Sequence, residues 1–126
     1  MKTILVVDDD DLLVESLTDL LELEGYRVVS AENGNDGLAR LEKENPDLVL
    51  TNLMMPIADA LYLVEGVQAQ SKLRSIPVVL MSTSHQGVPL SARTVGVSAF
   101  LRKPFGLDEL LPIIERLIGK GEPGKI

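Results

Sequence analysis

The stretch Ile4-Leu5-Val6-Val7-Asp8-Asp9-Asp10-Asp11 decides how the chain folds: four aliphatic residues run without interruption into four aspartates. An unbroken aliphatic run of this length suits a parallel strand covered on both faces, and the acids then stand where the carboxyl end of the strand opens to solvent. Leu48-Val49-Leu50 and Val78-Val79-Leu80-Met81 have the same character. Adding two more polar runs, the pattern predicts strands over 3–7, 27–31, 47–51, 77–81 and 99–102, with the three apolar ones central.

Helical periods separate the runs. Leu13, Leu17, Leu20 and Leu21 mark an apolar face on a first helix, and Leu38 and Leu41 one on a second. Gly25 supplies the left-handed residue that ends the first helix, and Asn45-Pro46 stops the second because a residue before proline avoids helical geometry. A third helix is predicted within 58–70, a fourth within 86–95 and a fifth over 107–118, where Leu110, Leu111, Ile114, Leu117 and Ile118 face inward. Pro112 predicts a late start or a kink in the fifth. Strands alternating with helices give a doubly wound α/β domain over 1–119, followed by a flexible tail over 120–126.

The chain has 126 residues, one domain's worth, and a net charge of -7, which opposes electrostatic binding to nucleic acid or to an anionic membrane. The absence of cysteine excludes disulfides and thiolate metal sites and suits a cytoplasmic setting. The opening apolar run is too short for a signal peptide or a membrane span.

Ligands of such sheets bind beyond the carboxyl ends of the strands. The residues there are Asp8-Asp9, Asn52, Ser82-Thr83 and Lys103-Pro104. Two carboxylates and an amide carbonyl form an oxygen-rich set of the kind Mg²⁺ selects, and a hydroxyl and an ammonium suit phosphoryl oxygens. Asp10 and Asp11 read as stabilisers of a helix N-terminus. His85 has no paired acid at motif spacing and reads as a loop residue, and Met54, Met55 and Met81 read as packing.

Through Ile4 to Asp10, then Asp47-Leu48-Val49-Leu50-Thr51-Asn52-Leu53-Met54-Met55-Pro56, then Pro77 to Ser82, and finally Lys103-Pro104-Phe105, the chain resembles the CheY-like receiver domains of bacterial response regulators over roughly 2–117. The resemblance implies a flavodoxin-like (βα)5 fold of strand order 2-1-3-4-5. In that family an aspartate after the third strand takes a phosphoryl group beside bound Mg²⁺, and the product shifts the domain between two conformations. The resemblance also implies Asp8 and Asp9 as metal ligands, a further ligand from the Met54 carbonyl, Ser82 as the switch hydroxyl and Lys103 as the ion-pairing lysine. It makes Phe100 the aromatic reporter of the switch and the Lys103-Pro104 bond cis.

Two positions depart from the family pattern. The phosphoacceptor position holds Asn52, and a neutral amide is a far poorer oxygen nucleophile than a carboxylate. Thr51 is no substitute, since neighbouring strand residues point to opposite faces. Asp59-Ala60 replaces the usual Asp-Gly and restricts the loop before the third helix. Asn52 has two readings that sequence leaves open, a natural pseudo-receiver or an engineered Asp-to-Asn change in an ordinary response regulator.

The expected function is a switch or protein-binding module and not an enzyme, with weak or absent Mg²⁺. Its expected partners are a histidine kinase or phosphotransfer protein and an output protein on a separate chain. A homodimer through the face of the fourth helix, fifth strand and fifth helix is a further expectation. A Mg²⁺-dependent phosphatase would use an Asp-x-Asp pair, which the Asp8-Asp9-Asp10 run contains. A flavin-binding relative would need a Ser/Thr/Gly phosphate loop after the first strand, and the aspartates stand there instead.

Overall fold

The computed structural model describes residues 1–53, 60–83 and 96–122. Its strands are β1 Thr3–Val7, β2 Arg27–Ala31, β3 Leu48–Asn52, β4 Val78–Ser82 and β5 Val97–Arg102. They form one five-stranded sheet of order β2-β1-β3-β4-β5, every neighbouring pair parallel. Its described helices are α1 Asp11–Leu23, α2 Gly34–Glu44, α3 Ala60–Ala69 and α4 Leu107–Ile118. The helix expected over 86–95 lies outside the described residues, so α4 is the one the sequence placed fifth.

The three aliphatic runs are the central strands because both their faces are buried. Leu5, Val7, Val49, Val78 and Leu80 pack on one side with Leu41 of α2 and Leu63, Val64 and Val67 of α3. Ile4, Val6, Leu48, Leu50, Val79 and Met81 pack on the other with Leu17 and Leu21 of α1 and Leu110 and Ile114 of α4. The period of two along each strand divides its side chains between these cores.

Helix ends follow the local chemistry. Asp10 caps α1, its side chain accepting from the Leu12 and Leu13 N–H groups, and Asn33 caps α2 by accepting from Asp36. Gly25, at φ 92°, closes α1 in a Schellman arrangement. Its N–H donates to the Glu22 carbonyl, and the Tyr26 N–H donates to the Leu21 carbonyl. Asn45, before Pro46, takes the left-handed conformation at φ 49° and ends α2.

Several expectations shift. β3 and β4 begin and end one residue later than predicted, so Asn52 and Ser82 are the last residues of their strands and still within the ladder. Asp47 stays outside β3 while its side chain accepts from the Thr3 N–H at 2.7 Å. β5 starts two residues earlier than predicted and carries a bulge at Ser98, since Val78 pairs with Val97 but Val79 pairs with Ala99. Leu20, expected on the buried face of α1, is 40% exposed because it lies at the margin of the stripe centred on Leu17 and Leu21. α4 neither starts late nor breaks at Pro112, whose ring sits on the exposed side. In the tail, the Glu122 N–H donates to the Gly25 carbonyl at 3.1 Å, and 123–126 lies outside the described residues. No helix among the described residues is long and apolar enough to cross a membrane.

Candidate functional site

Parallel register brings the strand-end residues to one edge. Val7 pairs with Thr51, Asn52 with Met81, and Ser82 with Arg102. Asp8, Asn52, Ser82 and Lys103 therefore stand at the ends of four adjacent strands, β1, β3, β4 and β5.

Asp8 is the buried acid of this edge, 1% exposed. Its own N–H donates to the Ala31 carbonyl of β2 at 3.1 Å, which holds the residue in line with the sheet after β1 has ended. Both carboxylate oxygens are engaged. Oδ1 accepts from the Asp10 N–H at 2.9 Å, and Oδ2 lies 2.8 Å from the Lys103 ammonium. A carboxylate this buried is stable only when paired and hydrogen-bonded, and here it is both.

Lys103 reaches Asp8 from the far edge of the sheet. Its N–H donates to the Ser82 carbonyl at 2.8 Å, which fixes its backbone to the end of β4, and the following bond to Pro104 is cis, as the resemblance implies. β1 and β5 are separated by β3 and β4, so their ends lie about 14 Å apart at ordinary strand spacing. The Lys103–Asp8 pair thus joins residues that follow two strands not adjacent in the sheet.

The remaining predicted residues are less enclosed. Asp9 and Thr83 are exposed, and Asn52 and Ser82 are half-buried, each engaged in contacts within the chain. Phe100 pairs with Leu80 across the ladder and is 40% exposed on the edge strand, outside both core clusters. Thr51 is fully buried, and its hydroxyl donates to the Asn52 carbonyl at 3.1 Å. Met54 lies outside the described residues, as does the loop expected to differ at Asp59. Ala60, the other half of that departure, starts α3, and its N–H donates to the Leu53 carbonyl at 3.2 Å.

Beside Asp8 a polar recess of about 250 Å³ opens between α1 and α2, lined by Asp11, Ser30, Glu32, Asp36 and Arg40 among others. Sequence reasoning read Asp11 only as a stabiliser of a helix N-terminus and passed over the others. The same strand-end rule, applied to β2, would have selected Glu32, whose N–H meets the Asp36 carboxylate at 3.4 Å.

Among the described residues no three His, Asp or Glu side chains form a group able to hold a metal ion. The strand-end donors are the Asp8 and Asp9 carboxylates and the Asn52 amide, an all-oxygen set that suits a hard cation such as Mg²⁺. That set already contains a cation, because the Lys103 ammonium neutralises Asp8. The pair and Asp9 together leave one net negative charge at the edge.

Residues 4–115 match the response regulator receiver domain family. Protein PilH of Pseudomonas aeruginosa is 32% identical over 119 residues, which cover 94% of this chain and 98% of that protein. The transcriptional regulatory protein GlrR of Escherichia coli is 36% identical over 122 residues, 95% of this chain but 27% of its own length. Among solved structures, the response regulator TrrA of Thermotoga maritima, in complex with Mg²⁺ and BeF, matches with a TM-score of 0.83 at 32% identity, covering 94% of this chain and 100% of that one. The chemotaxis protein CheY4 of Vibrio cholerae matches with a TM-score of 0.85 at 27% identity, over 94% and 99% of the two chains.

Proposed function

Because the chain belongs to the response regulator receiver domain family and so to two-component signalling, we propose that it is a phosphate-blind receiver, a binding and switching module whose acceptor position is occupied by Asn52. The observation that carries this reading is the place of Asn52. It ends β3 between the strands that lead to Asp8 and Ser82, and Lys103, which follows β5, pairs with Asp8, which follows β1. An amide there offers no carboxylate oxygen to attack a phosphoryl donor, and the neighbouring acid is held in an ion pair.

In this reading Lys103 neutralises Asp8, the Asp10 N–H orients it, and Ser82 anchors the Lys103 backbone. Mg²⁺, where it binds, would be held by Asp8, Asp9, Asn52 and the Met54 carbonyl, and would supply a counter-charge for anionic ligand oxygens. Its binding is weak, since Asn52 removes one carboxylate and Lys103 supplies a competing positive charge. The role is recognition and not turnover. The partners are a histidine kinase or phosphotransfer protein on the input side and an output protein on a separate chain, with the face that includes β5 and α4 available for a homodimer. A cytoplasmic location fits these partners, and the net charge of -7 fits the absence of direct nucleic-acid binding.

The test is an amide NMR spectrum recorded with Mg²⁺ and beryllium fluoride added. The unsubstituted chain should show no change beyond that of Mg²⁺ alone, while Asn52→Asp should shift residues around 52, 82 and 97–103. Fluoride-dependent shifts of equal size in both proteins would refute the reading.

A further inference from the structure

The edge of the sheet opposite the candidate site holds a cleft of about 580 Å³, lined by Met1, Asp19, Glu22, Leu23, Gly25, Tyr26 and Arg27. It lies where α1 ends and β2 begins, one full strand length from Asp8. Its rim is apolar and open to solvent: Leu23 is 71% exposed and Met1 61%, and Leu20, one helical turn before Leu23, is 40% exposed. Large aliphatic groups left uncovered together are the usual mark of an interaction surface.

The rim carries both signs, Asp19 and Glu22 against Arg27 and the Met1 α-ammonium, but its unpaired side-chain charges are acidic. α1 carries Asp11, Glu15, Asp19 and Glu22 and no basic residue. Asp19 and Glu22 form no ion pair among the described residues, and both lie toward the helix C-terminus, where carboxylates oppose the helix dipole. They therefore do not serve the stability of α1. Of the nearby side-chain cations, Arg27 pairs with Glu44 at 3.1 Å and Lys2 donates to the Ile118 carbonyl, and the Met1 α-ammonium forms no ion pair with either carboxylate among the described residues.

We propose that this cleft and the Leu20–Leu23 stripe seat an amphipathic helix of a partner protein, with aliphatic residues on its inner face and lysine or arginine on its flank. The apolar rim takes the inner face in the manner of a helix laid into a groove, and Asp19 and Glu22 meet the basic flank. An anionic membrane is disfavoured as occupant by the same carboxylates. The site is independent of Asn52, since it uses no strand-end residue.

A synthetic Leu/Lys peptide with helical spacing is the probe, titrated into the full chain by isothermal calorimetry and amide NMR at physiological salt. Shifts should concentrate at residue 2 and at 19–27. Leu20→Ser/Leu23→Ser and Asp19→Lys/Glu22→Lys should each weaken binding roughly tenfold or more. The charge-matched control Glu65→Lys/Glu109→Lys should change it little, and a scrambled peptide of identical composition should not bind. Equal loss in the control, or equal binding of the scrambled peptide, would reduce the effect to net charge and overturn the proposal. A Leu20/Leu23-dependent dimer in sedimentation would assign the face to a second copy and overturn it too. So would binding that appears only after residues 123–126 are deleted, which would assign it to the chain's own tail.

Discussion

The ammonium of Lys103 and the carboxylate of Asp8 meet at 2.8 Å although β5 and β1, which lead to them, are separated in the sheet by β3 and β4. The pair supplies within the chain the positive charge that a buried acid requires.

Lys103→Met should therefore leave Asp8 buried without a counter-ion. We expect a loss of about 3 kcal/mol in urea denaturation at neutral pH. The double substitution Asp8→Asn/Lys103→Met should recover most of it, because no uncompensated charge then remains. A loss in the single variant below about 0.5 kcal/mol, the range of ordinary surface changes, would mean that water already solvates Asp8.

Removing the lysine should also change the response to metal. In the unsubstituted chain, Mg²⁺ must compete with an ammonium already on Asp8, so the melting temperature should rise little at millimolar Mg²⁺. Lys103→Met, which leaves Asp8 and Asp9 with no internal cation, should be stabilised more by the same Mg²⁺ through preferential binding to the folded state. A smaller Mg²⁺ response in the variant would show that Lys103 assists metal binding.

At the other edge of the sheet Tyr26 ties the start of β2 to the end of α4, its hydroxyl donating to the Gly119 carbonyl at 2.8 Å. Burial, and then the Glu115 carboxylate, raise its phenol above the ordinary 10.0. The folded state thus holds this proton more tightly than the unfolded chain. The associated stability is complete below pH 10.0 and is lost as pH rises through the folded value. Tyr26→Phe should cost about 1 kcal/mol at neutral pH, and the gap between the two proteins should narrow above pH 10.0. A gap that widens with pH would reverse the sign of this linkage.

Pro112 lies inside α4 and removes the hydrogen bond that the Asp108 carbonyl would otherwise accept. Since the position is exposed and the helix continues through it, Pro112→Ala should stabilise the fold, by about 1 kcal/mol or more in thermal melting. Destabilisation would show that the ring itself contributes packing.

The central fold was legible because strands buried on both faces leave an unmistakable aliphatic signature, as in Ile4 to Val7. Helix ends were legible where one residue sets the backbone, as at Asp10, Gly25 and Asn45. Pro112 misled because the penalty for proline is local, whereas Leu110 and Ile114 hold α4 through burial on either side of it. In the site, the strand-end rule found Asp8, Asn52, Ser82 and Lys103. The resemblance implied Lys103 as an ion-pairing lysine, but the strand-end rule did not name Asp8 as its partner, because side-chain reach across two strands has no sequence spacing. The Leu20–Leu23 rim was hidden for a related reason: a helical leucine period does not say which leucines meet the sheet.

The most direct measurement of the central claim is the intact mass of the chain after incubation with acetyl phosphate and Mg²⁺. The account predicts no added phosphoryl group on the unsubstituted chain and one on Asn52→Asp, released by hydroxylamine as an acyl phosphate should be. A phosphoryl group on the unsubstituted chain, at Asp8, Asp9 or any other residue of this edge, would contradict it.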